Sequence, residues 1–253
     1  MRLHHQCQGE GAPLLILHGL LGSLDNWQNI SRKLSETFRV CALDLRNHGR
    51  SPHSDDFSYD VMTEDLLEFL DAQQIGRTRL MGHSMGGKTA MHFALKQPER
   101  VEKLVVVDIA PRAYPPSHLP IFEALLSLDL ASFRERSEVD RALAGKIPEV
   151  AVRQFLLKNL ARNEQGGLCW KPNLPVIRKN YDRLNEEIKT DTSFKGPTLF
   201  LKGAKSDYIN DSDRATIEKL FPNATLTSIP QAGHWVHADA AKEFVEVVGN
   251  FLQ

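Results

Sequence analysis

Short apolar segments alternate with longer segments of helical periodicity along most of the chain. The strand-like segments are residues 14–17, 40–43, 78–81, 104–107, 198–201 and 224–229. Several are continuously apolar, as strands covered by helices on both faces should be. Residues 59–74 and 238–252 instead place their apolar side chains on one side at helical spacing. This alternation predicts an α/β fold with a mostly parallel central sheet flanked by helices.

The alternation breaks once, between residues 111 and 190. Helical patterns recur there, at 121–128 and 150–160, and no strand-like segment is visible. We therefore expect a core of residues 1–110 and 191–253, with residues 111–190 inserted between two strands as a helical cap. The alternative is that this segment packs elsewhere on the fold. The cap is favoured because ligands bind at the carboxyl ends of parallel strands, where such an insertion would lie.

Composition and charge narrow the function classes. The 253 residues carry 31 Lys and Arg against 32 Asp and Glu, so no basic excess exists to neutralise nucleic-acid phosphates. No run approaches the roughly 20 apolar residues of a membrane span, and no signal-peptide core follows Met1. Cys7, Cys41 and Cys169 show neither a disulfide framework nor a zinc cluster. A cytoplasmic protein is expected.

The strongest local motif surrounds Ser84. The sequence Gly82-His-Ser84-Met-Gly86 follows a predicted strand and opens a predicted helix, which is the context of a nucleophile elbow. Glycines are needed at both ends because a side chain there would collide with backbone in so tight a turn. The helix that begins behind the serine favours negative charge on an attacked carbonyl oxygen. These features predict that Ser84 is a catalytic nucleophile.

A serine hydroxyl needs a base, and that base needs an orienting acid. At such elbows the acid and then the histidine follow the serine in the chain. His234 fits the base, since it follows the last predicted strand, although His237 lies nearby. Asp108 and Asp207 both follow predicted strands in the required order, so spacing leaves the acid open.

The segment His18-Gly-Leu20-Leu-Gly22 follows the first predicted strand, and its glycines allow backbone amides to point inward. The amide of Met85, directly after the nucleophile, is one expected oxyanion-hole donor. The Leu20 amide is our choice for the other. A simple turn at the glycines is compatible with that role.

Together these residues resemble the α/β-hydrolase superfamily, and most closely its YbfF-type serine esterases. The more specific motifs are Arg46-Asn-His-Gly49, Lys88 after the double glycine, and Asp108-Ile-Ala-Pro111. Many superfamily members carry Gly-x-x-Asp after the strand that ends near residue 201, but here that position is Ser206. The resemblance therefore implies Asp108 as the acid, with Ser206 as an accessory hydrogen-bonding residue and Asp207 in reserve.

The resulting prediction is a serine hydrolase that cleaves small-molecule carboxylic esters, or acyl thioesters, through an acyl-enzyme. This mechanism implies no metal or organic cofactor. A carbon–carbon bond hydrolase or lyase with the same triad is one alternative, and a non-catalytic small-ligand receptor is another. Arg46, His48 and Lys88 are either structural or in contact with a polar substrate group, and a structural tie is favoured for Arg46. The substrate and the oligomeric state stay open.

Overall fold

The computed structural model describes residues 1–253, and its centre is a seven-stranded sheet. The strand order is β1-β3-β2-β4-β5-β8-β9, in which β1 runs antiparallel to β3 and every other pair is parallel. The strands of this sheet are β1 His5–Gln8, β2 Pro13–Leu17, β3 Arg39–Leu43, β4 Thr78–His83, β5 Val101–Val107, β8 Thr198–Gly203 and β9 Ala224–Ile229. The predicted mostly parallel α/β fold is confirmed.

Two apolar clusters cover the two faces of the sheet. Along β2, Leu15 and Leu17 join one cluster while Leu14 and Ile16 join the other, because successive side chains of a strand point to opposite faces. The larger cluster includes residues of α2 and α3, and the smaller one includes residues of α1 and α11. The helices outside residues 111–190 are α1 Gln28–Leu34, α2 Tyr59–Ala72, α3 Met85–Lys96, α9 Arg214–Leu220, α10 Val236–Asp239 and α11 Ala241–Leu252.

Residues 111–190 are mainly helical, with one short hairpin. The helices are α4 Leu119–Leu126, α5 Arg136–Ala144, α6 Val150–Leu157, α7 Leu174–Lys179 and α8 Tyr181–Asn185. The strands β6 Leu160–Arg162 and β7 Leu168–Trp170 pair antiparallel, so the expectation of no strand in this segment is wrong. Their three-residue length gives too short a pattern to detect. Phe122, Leu156 and Ile177 belong to the larger apolar cluster of the core.

A disulfide joins Cys7 and Cys41, which the sequence did not predict. Cys7 lies directly opposite Cys41 in the antiparallel pair of β1 and β3, so the fold brings together two residues that are 34 positions apart. The prediction failed because β1 itself was not recognised. Cys169 is free.

No helix is long and apolar enough to cross a membrane.

Candidate active site

Ser84 lies between β4 and α3 in a strained backbone conformation. Its φ is 52° and its ψ is −119°, a region that residues with a side chain rarely occupy. A Cβ at Gly86 would lie 2.5 Å from the carbonyl oxygen of His18, and a Cβ at Gly82 would overlap the backbone of Gly86. The turn is therefore as tight as the sequence predicted, and glycine is required on both sides.

Asp108 directly follows β5, is fully buried, and meets His234. The Nδ1 atom of His234 lies 2.7 Å from Oδ2 of Asp108, close enough for Nδ1–H to donate to the carboxylate. The Gly203 amide donates to the other carboxylate oxygen at 3.1 Å, and the Ser206 hydroxyl donates to Oδ2. A carboxylate buried without partners would be costly, and these three donors remove most of that cost.

Asp207 lies apart from this group. Its side chain is exposed, and its backbone oxygen accepts a hydrogen bond from Arg112 at 3.1 Å. The next residue, Tyr208, stacks on His234 with 3.9 Å between ring centroids and an interplanar angle of 19°. The structure thus places Asp108, Ser206 and Tyr208 around His234, and no hydrogen bond joins the exposed side chain of Asp207 to that histidine.

Ser84 and His234 line the same cavity, of about 510 Å³, but no hydrogen bond joins their side chains in this structure. Such bonds are often long in the absence of substrate and shorten when it binds. His83 points away from the nucleophile, and its Nε2–H donates to the backbone oxygen of His234 at 2.8 Å. His237 stacks on Trp27 with 4.1 Å between ring centroids. The rings of His83 and His237 therefore pack around the loop that carries His234.

Leu20 and Met85 lie on a cavity wall together with Ser84. This second cavity has a volume of about 330 Å³. The Leu20 N–H donates no hydrogen bond within the chain. Met85 is the first residue of α3, where a backbone N–H has no intrahelical acceptor. Both amides are therefore free to donate to an oxygen atom of a ligand.

Two neutral histidines hold the loop that carries Leu20. The Leu45 amide donates to Nε2 of His18 at 3.0 Å, and the Leu21 amide donates to Nε2 of His48 at 3.2 Å. Burial lowers the pKa of His18 to about 4 and the pKa of His48 to about 3. Each ring therefore keeps an unprotonated nitrogen, which a protonated ring would lack. This support fixes the position of the Leu20 amide.

The two cavities meet at Ser84. We call the smaller one the Lys88 cavity and the larger one the His234 cavity, because each of those two residues lines only one of them. Leu20, His118 and Tyr208 line both, together with Ser84. A ligand bound across Ser84 would thus extend one part into each cavity.

Comparison with known proteins identifies the family. A sequence profile described as the alpha/beta hydrolase fold matches residues 12–145, just over half of the chain. The chain belongs to the α/β-hydrolase family. The matched residues include the Leu20 loop, Ser84 and Asp108, whereas His234 lies beyond them.

Relatives of this α/β hydrolase are named as esterases and lipases. It is 41% identical to the sn-1-specific diacylglycerol lipase ABHD11 of Danio rerio, over 97% of this chain and 80% of that protein. It is 34% identical to esterase YbfF of Escherichia coli strain K12, over 98% of this chain and 95% of that one. A solved marine microorganism esterase shares 45% identity with a TM-score of 0.97, over 99% of both chains. The protein is a hydrolase of YbfF type.

Several site residues of this α/β hydrolase were missed by the sequence analysis. His18 begins the motif that was recognised around Leu20, but its role in holding that loop was not predicted, and Tyr208 was not recognised at all; only the folded chain shows these two contacts. Arg46 is a structural tie, as favoured from the sequence, because its guanidinium donates to both carboxylate oxygens of Asp65 at 2.6 and 2.8 Å. No group of three or more His, Cys, Asp or Glu side chains could hold a metal ion.

Proposed function

We propose that this protein hydrolyses carboxylic esters, with Ser84 as nucleophile, His234 as base and Asp108 as the orienting acid. The observation that carries the proposal is the contact between the buried Asp108 and His234, which lines the same cavity as the strained Ser84. Asp108 holds the imidazole in the tautomer whose Nε2 accepts the serine proton, and it stabilises the imidazolium that forms.

In the first step the Ser84 oxygen attacks the acyl carbonyl while His234 removes the hydroxyl proton. The carbonyl oxygen becomes an anion, to which the Leu20 and Met85 amides donate; each such donor contributes on the order of 3 kcal/mol to transition-state stability. His234 then protonates the departing alcohol, and the carbonyl of the acyl-enzyme reforms. Water, deprotonated by His234, attacks the acyl carbonyl of the acyl-enzyme. The bond to the Ser84 oxygen then breaks, and His234 returns its proton to that oxygen as the acid leaves. A thioester can follow the same steps with a thiol as the leaving group.

The need for proton transfer from His234 decides which part of the substrate lies in which cavity. The leaving group must receive its proton from His234, so it occupies the His234 cavity. The acyl group then extends into the Lys88 cavity, which His234 does not line. We also propose that residues 111–190 act as a cap, since Phe155 lines the His234 cavity, Tyr181 lines the Lys88 cavity and His118 lines both.

A fluorophosphonate probe tests the nucleophile. The wild-type protein should be labelled and Ser84→Ala should not, while both retain the same far-UV circular dichroism. Hydrolysis of ethyl butyrate and of butyryl-coenzyme A measures the ester and thioester activities. A folded wild-type protein that neither reacts with the probe nor hydrolyses either substrate would disprove the proposal.

The acid is tested by a matched pair of variants. Asp108→Asn should lower kcat by about 10⁴-fold, because an amide no longer fixes the required tautomer of His234. Asp207→Asn should change kcat less than threefold, since its exposed side chain does not meet His234. The reverse ranking would transfer the role of acid to Asp207.

A further inference from the structure

Lys88 is a buried amine on the wall of the Lys88 cavity. It is only 1% exposed, and it lies one helical turn after Ser84, with its backbone N–H donating to the Ser84 carbonyl at 3.0 Å. Residues four positions apart share one face of a helix, at a rise of about 6 Å. The side chains of Ser84 and Lys88 therefore line the same cavity at separate depths.

The charge of Lys88 has no carboxylate partner within the chain. Its Nζ donates to the backbone oxygen of Glu186 at 2.5 Å and lies 5.2 Å from the centre of the Tyr114 ring. An ammonium group carries three N–H donors, so further donors remain for a ligand. Burial lowers the pKa of Lys88 to about 7, Arg112 lowers it further, and the charges of Glu186 and Glu187 partly oppose this shift. A bound carboxylate would favour the protonated, charged form of the amine.

Three neighbouring polar groups of the cavity already have partners. The Tyr59 hydroxyl donates to the Leu184 carbonyl at 2.8 Å, and the Tyr114 hydroxyl donates to the Tyr208 carbonyl at 2.5 Å. The guanidinium of Arg112 forms an ion pair with the buried Asp213 at 3.0 Å. Lys88 forms no such ion pair, so it is the cation of this cavity whose charge no carboxylate of the chain neutralises directly.

The carboxylate of Asp207 also borders this cavity and opposes an anion. Its side chain is exposed, however, so water and salt screen it, whereas Lys88 is shielded from solvent. The attraction of the buried amine should therefore outweigh the repulsion of the exposed carboxylate.

We propose that the Lys88 cavity selects acyl groups that carry a second carboxylate at their far end, so that the preferred substrates are monoesters of short dicarboxylic acids. This inference rests on the proposed ester hydrolysis and on the acyl group lying in the Lys88 cavity. The substrate carboxylate would accept the unused N–H donors of Lys88, while the ester carbonyl meets the Leu20 and Met85 amides. The spacing between those two ends sets the preferred chain length.

The test compares charged and uncharged acyl groups of equal length. Monoethyl succinate, glutarate and adipate are paired with ethyl butyrate, pentanoate and hexanoate, and kcat/KM is measured by proton release. The wild-type protein should prefer the charged ester by tenfold or more for at least one chain length. If the uncharged esters are hydrolysed and no charged ester is preferred, this inference fails while the proposed function stands. If neither set is hydrolysed, the proposed function fails as well.

A pair of lysine variants assigns the preference. Lys88→Met should reduce the charged-to-uncharged ratio of kcat/KM at least tenfold. Lys96→Met removes the same charge from the same helix at the surface, where Lys96 pairs with Asp60, and should leave the ratio unchanged. A preference that survives Lys88→Met would overturn the assignment. If Lys88→Met does not fold, the wild-type preference still decides whether the cavity selects dicarboxylates.

Discussion

Four buried histidines around the site should make the fold sensitive to acid. Burial lowers the pKa of His18 to about 4, lowers those of His48 and His237 to about 3, and lowers that of His83 well below its ordinary value. In the unfolded chain each ring returns to a pKa of about 6.5. Below that pH the unfolded state binds protons that the folded state excludes. The stabilisation is therefore complete above pH 6.5 and is lost as the pH falls towards the folded pKa values.

The size of the effect follows from these values. At pH 5.5, protonation stabilises one unfolded histidine by about 1.4 kcal/mol, whereas its buried counterpart stays neutral. The four rings together should lower the free energy of unfolding by about 6 kcal/mol relative to pH 8. His92 and His118, whose pKa values burial lowers to about 4, act in the same direction. This loss is comparable with the whole stability of a typical domain, about 5–15 kcal/mol.

Urea unfolding at pH 8 and pH 5.5, followed by circular dichroism, measures this difference. His237→Phe keeps a ring stacked on Trp27 but removes one titrating group, so it should reduce the difference by about 1.4 kcal/mol. His53→Gln removes an exposed histidine and should leave it unchanged. A wild-type difference below about 2 kcal/mol would refute the reasoning, because most of these rings would then be protonated in the folded protein.

Two further predictions concern contacts behind the site and at the edge of the sheet. Ser206→Ala removes one of the three donors to the Asp108 carboxylate, and kcat/KM for ethyl butyrate should fall about tenfold. Ser212→Ala, at an exposed position, is its control, and an equal loss in both variants would contradict the role of Ser206. Replacing Cys7 and Cys41 together by Ala opens a loop that spans 34 positions, and should lower the free energy of unfolding in urea by about 4 kcal/mol. Unchanged stability would show that this cross-link constrains the unfolded chain little.

The buried strands could be predicted because their signal is local and strong. Segments such as residues 104–107 are continuously apolar and are fully buried in β5, so pattern and burial agree. β1 has the sequence His-Gln-Cys-Gln and lies at the edge of the sheet with most of its side chains exposed. Nothing in that polar sequence indicates a strand, because β1 is extended only through its pairing with β3. The disulfide was missed for the same reason.

The candidate site also contains residues that the local sequence predicts and residues that only the folded chain identifies. Ser84 could be predicted because the elbow needs only its own neighbours, glycine on each side and a strand and helix around it. The choice between Asp108 and Asp207 depends on how three separate loops meet. Asp108 has a φ of 50°, and its carboxylate is reached by donors about one hundred residues away in sequence, at Gly203 and Ser206. Spacing along the chain does not contain that information.

Burial decides what each ionisable residue of the site can do. Lysine is rarely buried without a partner and histidine is intermediate in burial, yet the fold leaves both Lys88 and His48 almost without solvent contact. For His48 the result is a neutral ring that accepts the backbone N–H of Leu21 and holds the loop that carries Leu20. For Lys88 the result is an amine without a counter-ion on the cavity wall, which is the condition for recognising an anion. Burial therefore makes His48 a residue that holds a loop and Lys88 a candidate for binding a ligand. The difference is that the hydrogen-bond partners of His48 come from the chain, whereas Lys88 has donors left for a bound anion.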